Sequence, residues 1–214
     1  MNNNYLKDQG LDKLINNDKT NNSNRIKPKY DDLIRLHKLI LKRKPKIILE
    51  FGVGWSTIVI ADAINKTKEN SILYSVDASK EWLKRTKKLI PKKLKKFIIF
   101  HQSDVHIDII NGQLCSLYDN LPDIVPDFIY LDGPDPKDIQ GNINGLSFNC
   151  SRRTVMSGDI ILMESTLLPD SFILVDGRTN NSRFLNRMFL RKWKMRWDRI
   201  GDITTFELIE DPLK

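Results

Sequence analysis

Cysteine is scarce in this chain: Cys115 and Cys150 are the two among 214 residues. They give neither a disulfide framework nor a metal-ligand spacing, a usage that fits a reducing compartment. A cytoplasmic location and no metal centre are therefore expected. Long apolar runs are missing too. None approaches the roughly 18 residues of a membrane span, and the polar N-terminus has no signal-peptide core. No internal repeat is visible. The chain is rich in positive charge, +8 with a pI near 9.4. An anionic partner is one reading of that excess; a bias towards Lys, Asn and Ile along the whole chain is the plainer one. The length suits one sizeable core rather than two.

The most informative stretch is 46–56. An apolar run, Ile47-Ile48-Leu49, ends at Glu50 and turns through Gly52 and Gly54. An amphipathic helix opens there, carrying Ile58, Val59, Ile60, Ala61 and Ile64. Glycines at a strand-to-helix turn let the backbone approach a ligand closely, and open α/β sheets bind ligands beyond the carboxyl ends of their strands. A nucleotide-like cofactor follows. A dinucleotide fingerprint asks for a third glycine where Thr57 stands. Glu50 would repel a diphosphate but not an ammonium or sulfonium. Glu50-x-Gly52-x-Gly54-x-Ser56 resembles the first motif of class I S-adenosylmethionine-dependent methyltransferases, in the variant with Ser where many members carry a third Gly. A glycine turn in another α/β protein is the alternative at this point.

Around that turn the chain reads as alternating elements. Residues 1–29 are expected to form a flexible or partly helical arm. A helix over 30–43 places Leu33, Leu36, His37, Ile40 and Leu41 on one face, with Asp31 and Asp32 at its positive end. His37 reads as a packed core histidine. Strands are expected at 71–77, 97–101 and 127–132, with a helix over 80–90. Four strand–helix units in succession argue a parallel sheet with helices on both faces. Residues 159–164 fit strand or helix alone. The strand at 172–176 follows too closely for a parallel crossover of about a dozen residues, so 159–168 becomes the crossover helix, capped by Ser157 or Asp159. A helix over 181–192 and strands at 194–200 and 204–210 close the chain. The resemblance, covering roughly 46–210, implies a Rossmann-like α/β fold: a seven-stranded, mostly parallel sheet with a C-terminal antiparallel hairpin, in a three-layer α/β/α sandwich. The domain is expected to span 30–214, with 134–156 as a lid.

Glu50, Asp77, Asp104, Asp132 and Asp176 sit at or just past strand ends, so a parallel sheet collects them along one edge. The resemblance implies roles for them. Glu50 and the backbone of Gly52, Gly54 and Ser56 would hold the methionine end of the cofactor. Asp77 would accept both ribose hydroxyls, Ser103 and Asp104 would meet adenine, and Asp132 would face the transferable methyl. Trp82 reads as a core residue first, with packing near the cofactor as the alternative. Methyl transfer is an in-line displacement to which a protein contributes alignment and water exclusion. A hydroxyl acceptor also needs a base, for which Asp132, Asp176 and His101 are the candidates. Pro134 and Arg178 would contact the substrate, Arg178 through an anionic group, unless it makes a surface ion pair. Metal-dependent catechol-type relatives carry acids on these two strands and follow the second with Asn. Gly177 stands there, which counts against Mg2+ without removing it. The expected acceptor is a hydroxyl or other heteroatom of a small or sugar-like molecule. An RNA methyltransferase is an alternative, given basic clusters around Lys84–Lys96 and Arg183–Arg196, although no RNA-binding module is recognisable. An NAD-dependent oxidoreductase and a cofactor-binding protein without turnover are the others. Trp193 and Trp197 are expected to plug the core beneath the last strands.

Overall fold

A computed structural model describes residues 2–15 and 29–211; the rest of the expected N-terminal arm lies outside the described residues. Helices α1 (Asn2–Gln9) and α2 (Leu11–Ile15) meet at Gly10, whose φ is 68°. They bury Leu6, Leu11 and Ile15 against Leu33, Ile34 and Val59. Helix α3 (Tyr30–Arg43) ends on left-handed Lys44, and His37 lies wholly inside, bonded to Tyr5 and Asp62. The chain then builds β1 (Ile47–Phe51), α4 (Trp55–Thr67), β2 (Ile72–Asp77), α5 (Lys80–Leu89) and β3 (Ile98–Gln102).

Next comes an element with no counterpart in the sequence reading. β4 (Val105–Ile110) and β5 (Gln113–Tyr118) form a hairpin around Asn111 and Gly112, both at positive φ, as a mirror-image two-residue turn requires. The hairpin replaces the helix expected between the third and fourth strands of the main sheet. β6 (Phe128–Leu131) returns to that sheet, and β7 (Ile139–Gln140) pairs with β4 in a separate three-stranded sheet. α6 (Asp159–Met163) continues as a 3-10 turn over Glu164–Thr166. Crossover length excluded a strand there, and the structure has none. Neither expected cap is used: Gly158 occupies the cap position, while the Asp159 carboxylate accepts the Tyr118 amide at 3.0 Å. β8 (Phe172–Asp176), α7 (Thr179–Met188), β9 (Trp193–Asp198) and β10 (Ile203–Leu208) complete the chain.

The main sheet has seven strands in the order β3-β2-β1-β6-β8-β10-β9. The first five run parallel, β10 runs antiparallel to β8, and β9 runs antiparallel to β10. This is the expected Rossmann-like sheet with its C-terminal hairpin. Alternation along the strands divides the core. Ile48, Leu73, Phe128 and Leu174 pack against α3 and α4; Leu49, Phe51, Ile129 and Val175 pack against the β4–β5 hairpin, α6 and α7. A central parallel strand thus buries both faces, which is why its sequence is a continuous apolar run. Each such side chain stabilises the fold by about 1.5–3 kcal/mol. Trp193 joins the core, its indole N–H donating to Glu164 at 2.9 Å. Trp197 does not plug the core: it is 41% exposed on the edge strand, with the guanidinium groups of Arg183 and Arg199 over its ring.

Candidate functional site

The site begins where β1 and β6 end side by side. The Asp132 amide donates to the Phe51 carbonyl at 3.0 Å, and the Gly52 amide donates to the Val76 carbonyl at 2.8 Å. Gly52 has φ 94°, and a Cβ there would stand 3.0 Å from the Gly133 nitrogen. A Cβ on Gly133 would stand 2.8 Å from the Gly52 nitrogen. The two backbones press together, and only glycine fits at either position. Gly54 is different. A Cβ there would meet nothing within 4 Å, because its backbone faces an open cleft of about 1050 Å³.

Asp77, at the end of β2, lies in the wall of that cleft. Its two oxygens accept the amides of Val53 at 2.8 Å and Ser79 at 2.7 Å. The carboxylate therefore ties the glycine turn to the start of α5. Burial raises its pKa, opposed by those two amides. Glu50 lies beneath the turn and has no exposed surface. Its Oε2 accepts the hydroxyls of Thr57 and Ser75, while Oε1 has no partner. Burial pushes its carboxyl up to about 7, against the lowering effect of the Ser56, Ser75 and Thr57 hydroxyls.

The sheet edge brings Asp132 and Asp176 into the same cleft as Asp77, Gly54, Ser56, Pro134 and Arg178. Burial among neighbouring atoms raises the Asp132 carboxyl to about 7; Arg178 pulls it down and Asp176 pushes it up. Its side chain is still 55% open to the cleft, so water moderates the shift, whose direction is upward. Asp176 accepts the Tyr130 hydroxyl at 2.5 Å and is also raised, chiefly by burial. Arg178 spends its guanidinium on the loop after β6. It donates to the carbonyls of Asp132 and Pro134, and its Nε stands 3.8 Å from the Asp132 carboxylate.

Four sequence-identified residues do not line the cleft, the first being Glu50, which lies enclosed beneath the turn. The His101 ring pairs with the Asn120 carbonyl at 2.9 Å. Ser103 donates to the Asp104 carbonyl and accepts the Asn120 amide, while Asp104 accepts from the Gln102 side chain. The β4–β5 hairpin causes this, because its root ties the end of β3 to Asn120. Conversely, Trp82, Arg85 and Thr86 form a wall of the cleft, so Trp82 is not a core residue. The spacing i, i+3, i+4 along α5 was the available signal. Arg153, Asn180 and Arg183 also line the cleft and were not singled out for it. The segment 134–156 borders it at both ends, through 134–138 and 153–155, while β7, just after the first of these, fastens it to the second sheet.

No protein-family model matches this sequence, and no curated protein sequence does. Solved structures do resemble it. A candidate caffeoyl-CoA O-methyltransferase from Staphylococcus aureus superposes with a TM-score of 0.55 at 13% identity, over 98% of this chain and 99% of that one. A methyltransferase from Geobacter sulfurreducens gives 0.52 at 10% identity, over 97% of this chain and 89% of that one. At such identities the likeness is one of fold: that of the class I methyltransferases.

Proposed function

We propose that this chain, which has the class I methyltransferase fold, transfers a methyl group from S-adenosylmethionine to a hydroxyl or other heteroatom of a small molecule. One observation carries the reading: the glycine turn, the ribose-type acid Asp77 and the raised acid Asp132 open into a single cleft. The residues fit the cofactor. Gly54 leaves free the space a side chain would fill, and each Asp77 oxygen, holding one amide, keeps a further lone pair for a vicinal diol. Glu50, enclosed beneath the turn, braces it from below through the Thr57 and Ser75 hydroxyls. When bound, the cofactor supplies an electrophilic methyl group on a sulfonium.

The protein's own work is positioning and proton transfer. Asp77 and the turn orient the donor, and the segment 134–156, taken as a lid on the 30–214 domain, excludes water. Asp132, raised towards neutrality, takes the acceptor's proton. Tyr130 holds Asp176 beside it. A magnesium ion does not fit this donor set. Arg178 stands against Asp132, the Tyr130 hydroxyl occupies Asp176, and no group of three His, Cys, Asp or Glu suited to a metal occurs among the described residues.

Thermal unfolding with added ligand tests the reading. S-adenosylhomocysteine at a hundred times its Kd should stabilise the fold by about 2.7 kcal/mol, and NAD should not. Labelled methyl groups should then pass from the cofactor to small molecules of a nuclease-treated extract. Protection by NAD alone would replace the reading with a dehydrogenase. Loss of product on nuclease treatment would replace the acceptor with RNA.

A further inference from the structure

The end of the cleft away from Asp77 carries a second pattern. β2 and β8 are separated by β1 and β6; at about 4.8 Å per strand, the start of α7 lies roughly 14 Å along the sheet edge from Asp77. The Asn180 side chain bonds Thr154 at 3.3 Å, which brings Arg153 beside that helix start. Arg183, one turn further along α7, reaches Asn180 at 3.4 Å. Arg153 donates to the Ser147 carbonyl. Both arginines line the cleft, no ion pair to a carboxylate is formed by either among the described residues, and the Arg183 guanidinium also stands 5.9 Å from the Trp197 ring centre. The ten-residue helix α7 has no acidic residue in its first turn and its cap, Arg178, makes no side-chain capping bond; one side of that start is taken by Asp202, which accepts the Thr179 hydroxyl at 3.2 Å. By contrast α3 begins with Asp31 and Asp32. Uncapped amides at the positive end of a helix favour an anion, and guanidinium forks match carboxylate and phosphate oxygens. Arg178 is committed to the loop after β6, which leaves the anion to the other two arginines.

We propose that the acceptor carries an anionic group, phosphate or carboxylate, bound between Arg153, Arg183 and the first turn of α7, while its methyl-accepting atom stands at Asp132. The proposal rests on the methyl-transfer reading above and adds the substrate's charge and direction in the cleft. It can be read without knowing the acceptor. Calorimetric titration with inorganic pyrophosphate, with citrate, and with sodium chloride at matched ionic strength is run with and without saturating S-adenosylhomocysteine. Wild-type protein should bind pyrophosphate or citrate, and not chloride. A response to pyrophosphate alone marks a phosphorylated acceptor, and one to citrate alone a carboxylate. The Arg153→Gln, Arg183→Gln double variant should lose about tenfold or more in anion affinity while keeping its affinity for S-adenosylhomocysteine. The corresponding Lys pair should recover part of the loss. A Lys194→Gln, Arg196→Gln control on β9 should bind anions as wild type does. Equal anion binding by the double variant and wild type, or an equal response to chloride, would overturn the proposal. Failure of S-adenosylhomocysteine to bind the wild type would instead overturn the cofactor reading, with the anion arm still decided on the same protein.

Discussion

At the residue scale, Asp132 shows how position tunes a common side chain. An aspartate in water is ionised at neutral pH. Here burial and the neighbouring Asp176 hold the proton on, while Arg178 and, more weakly, Lys29 pull the other way. The outcome, a carboxyl near 7, suits a base that must both accept and release a proton. Asp132→Asn should therefore depress turnover by about 10²–10⁴ while S-adenosylhomocysteine affinity stays within about twofold. Activity of the wild type should rise as pH increases through about 7, because Asp132 acts once deprotonated, and the variant's residual activity should lack that limb. A variant that methylates normally removes Asp132 from the chemistry. Arg178 illustrates the converse. An arginine beside an active site invites a substrate role, yet its hydrogen bonds hold the loop that carries Asp132 and Pro134.

At the scale of elements, the strand-to-helix turn after β1 contains two glycines with unlike duties. Gly52 sits at φ 94° against Gly133, so Gly52→Ala meets both an unfavourable torsion and a backbone contact at 3.0 Å. It should destabilise the protein by about 1–3 kcal/mol in denaturant unfolding. Gly54→Ala, with open space beside it and an extended φ of 172°, should leave stability within about 0.5 kcal/mol and weaken S-adenosylhomocysteine binding, since the methyl projects into the cleft. If the two variants lose stability equally, the cradle assigned to Gly54 is wrong. The hairpin of β4 and β5 matters in another way. By standing where a crossover helix was expected, it fixes Ser103 to Asn120 and Asp104 to Asp119, and gives 134–156 an anchor through β7.

For the whole molecule, the burial of carboxyls decides how stability varies with pH. Glu50 and Asp159 are almost wholly enclosed, and burial raises each to about 7; Asp132 follows in the same direction. The unfolded chain would release these protons near pH 4. Between about pH 4 and 7 the folded state therefore binds more protons than the unfolded one, and stability falls as pH rises through that window. Above about 7 both states are ionised and the fall stops. Asp62 acts oppositely: His37 and Lys66 outweigh its burial and depress its carboxyl, so its contribution is lost below about pH 4. Unfolding by guanidinium should show greater stability at pH 5 than at pH 8. Asp159→Asn, which keeps an oxygen for the Tyr118 amide, should flatten the difference. A wild-type curve level from pH 5 to 8 would contradict the burial assigned to these groups.

The strands of the main sheet were legible from sequence because burial on both faces writes them as short apolar runs, and crossover length alone settled 159–164 as helical. The glycine turn was legible for the same kind of reason: backbone torsion and close approach restrict residue type at the position itself. Asn111-Gly112 was equally a local signal, between segments of alternating Val105, Ile107 and Leu114, Ser116, and pointed to a hairpin that was not read. What the cleft contains was a different matter. Acids at strand ends look alike in the chain, and only the packed sheet separates Asp77, Asp132 and Asp176, which reach the cleft, from Asp104, which does not. Sequence placed Asp132 at an edge; the raised carboxyl and its arginine neighbour came from the tertiary structure, because desolvation and Coulomb attraction depend on distances between residues remote in the chain. Arg153 and Arg183 are one charge each among many in a basic sequence, and become a pair only where the segment after β7 folds back against the start of α7.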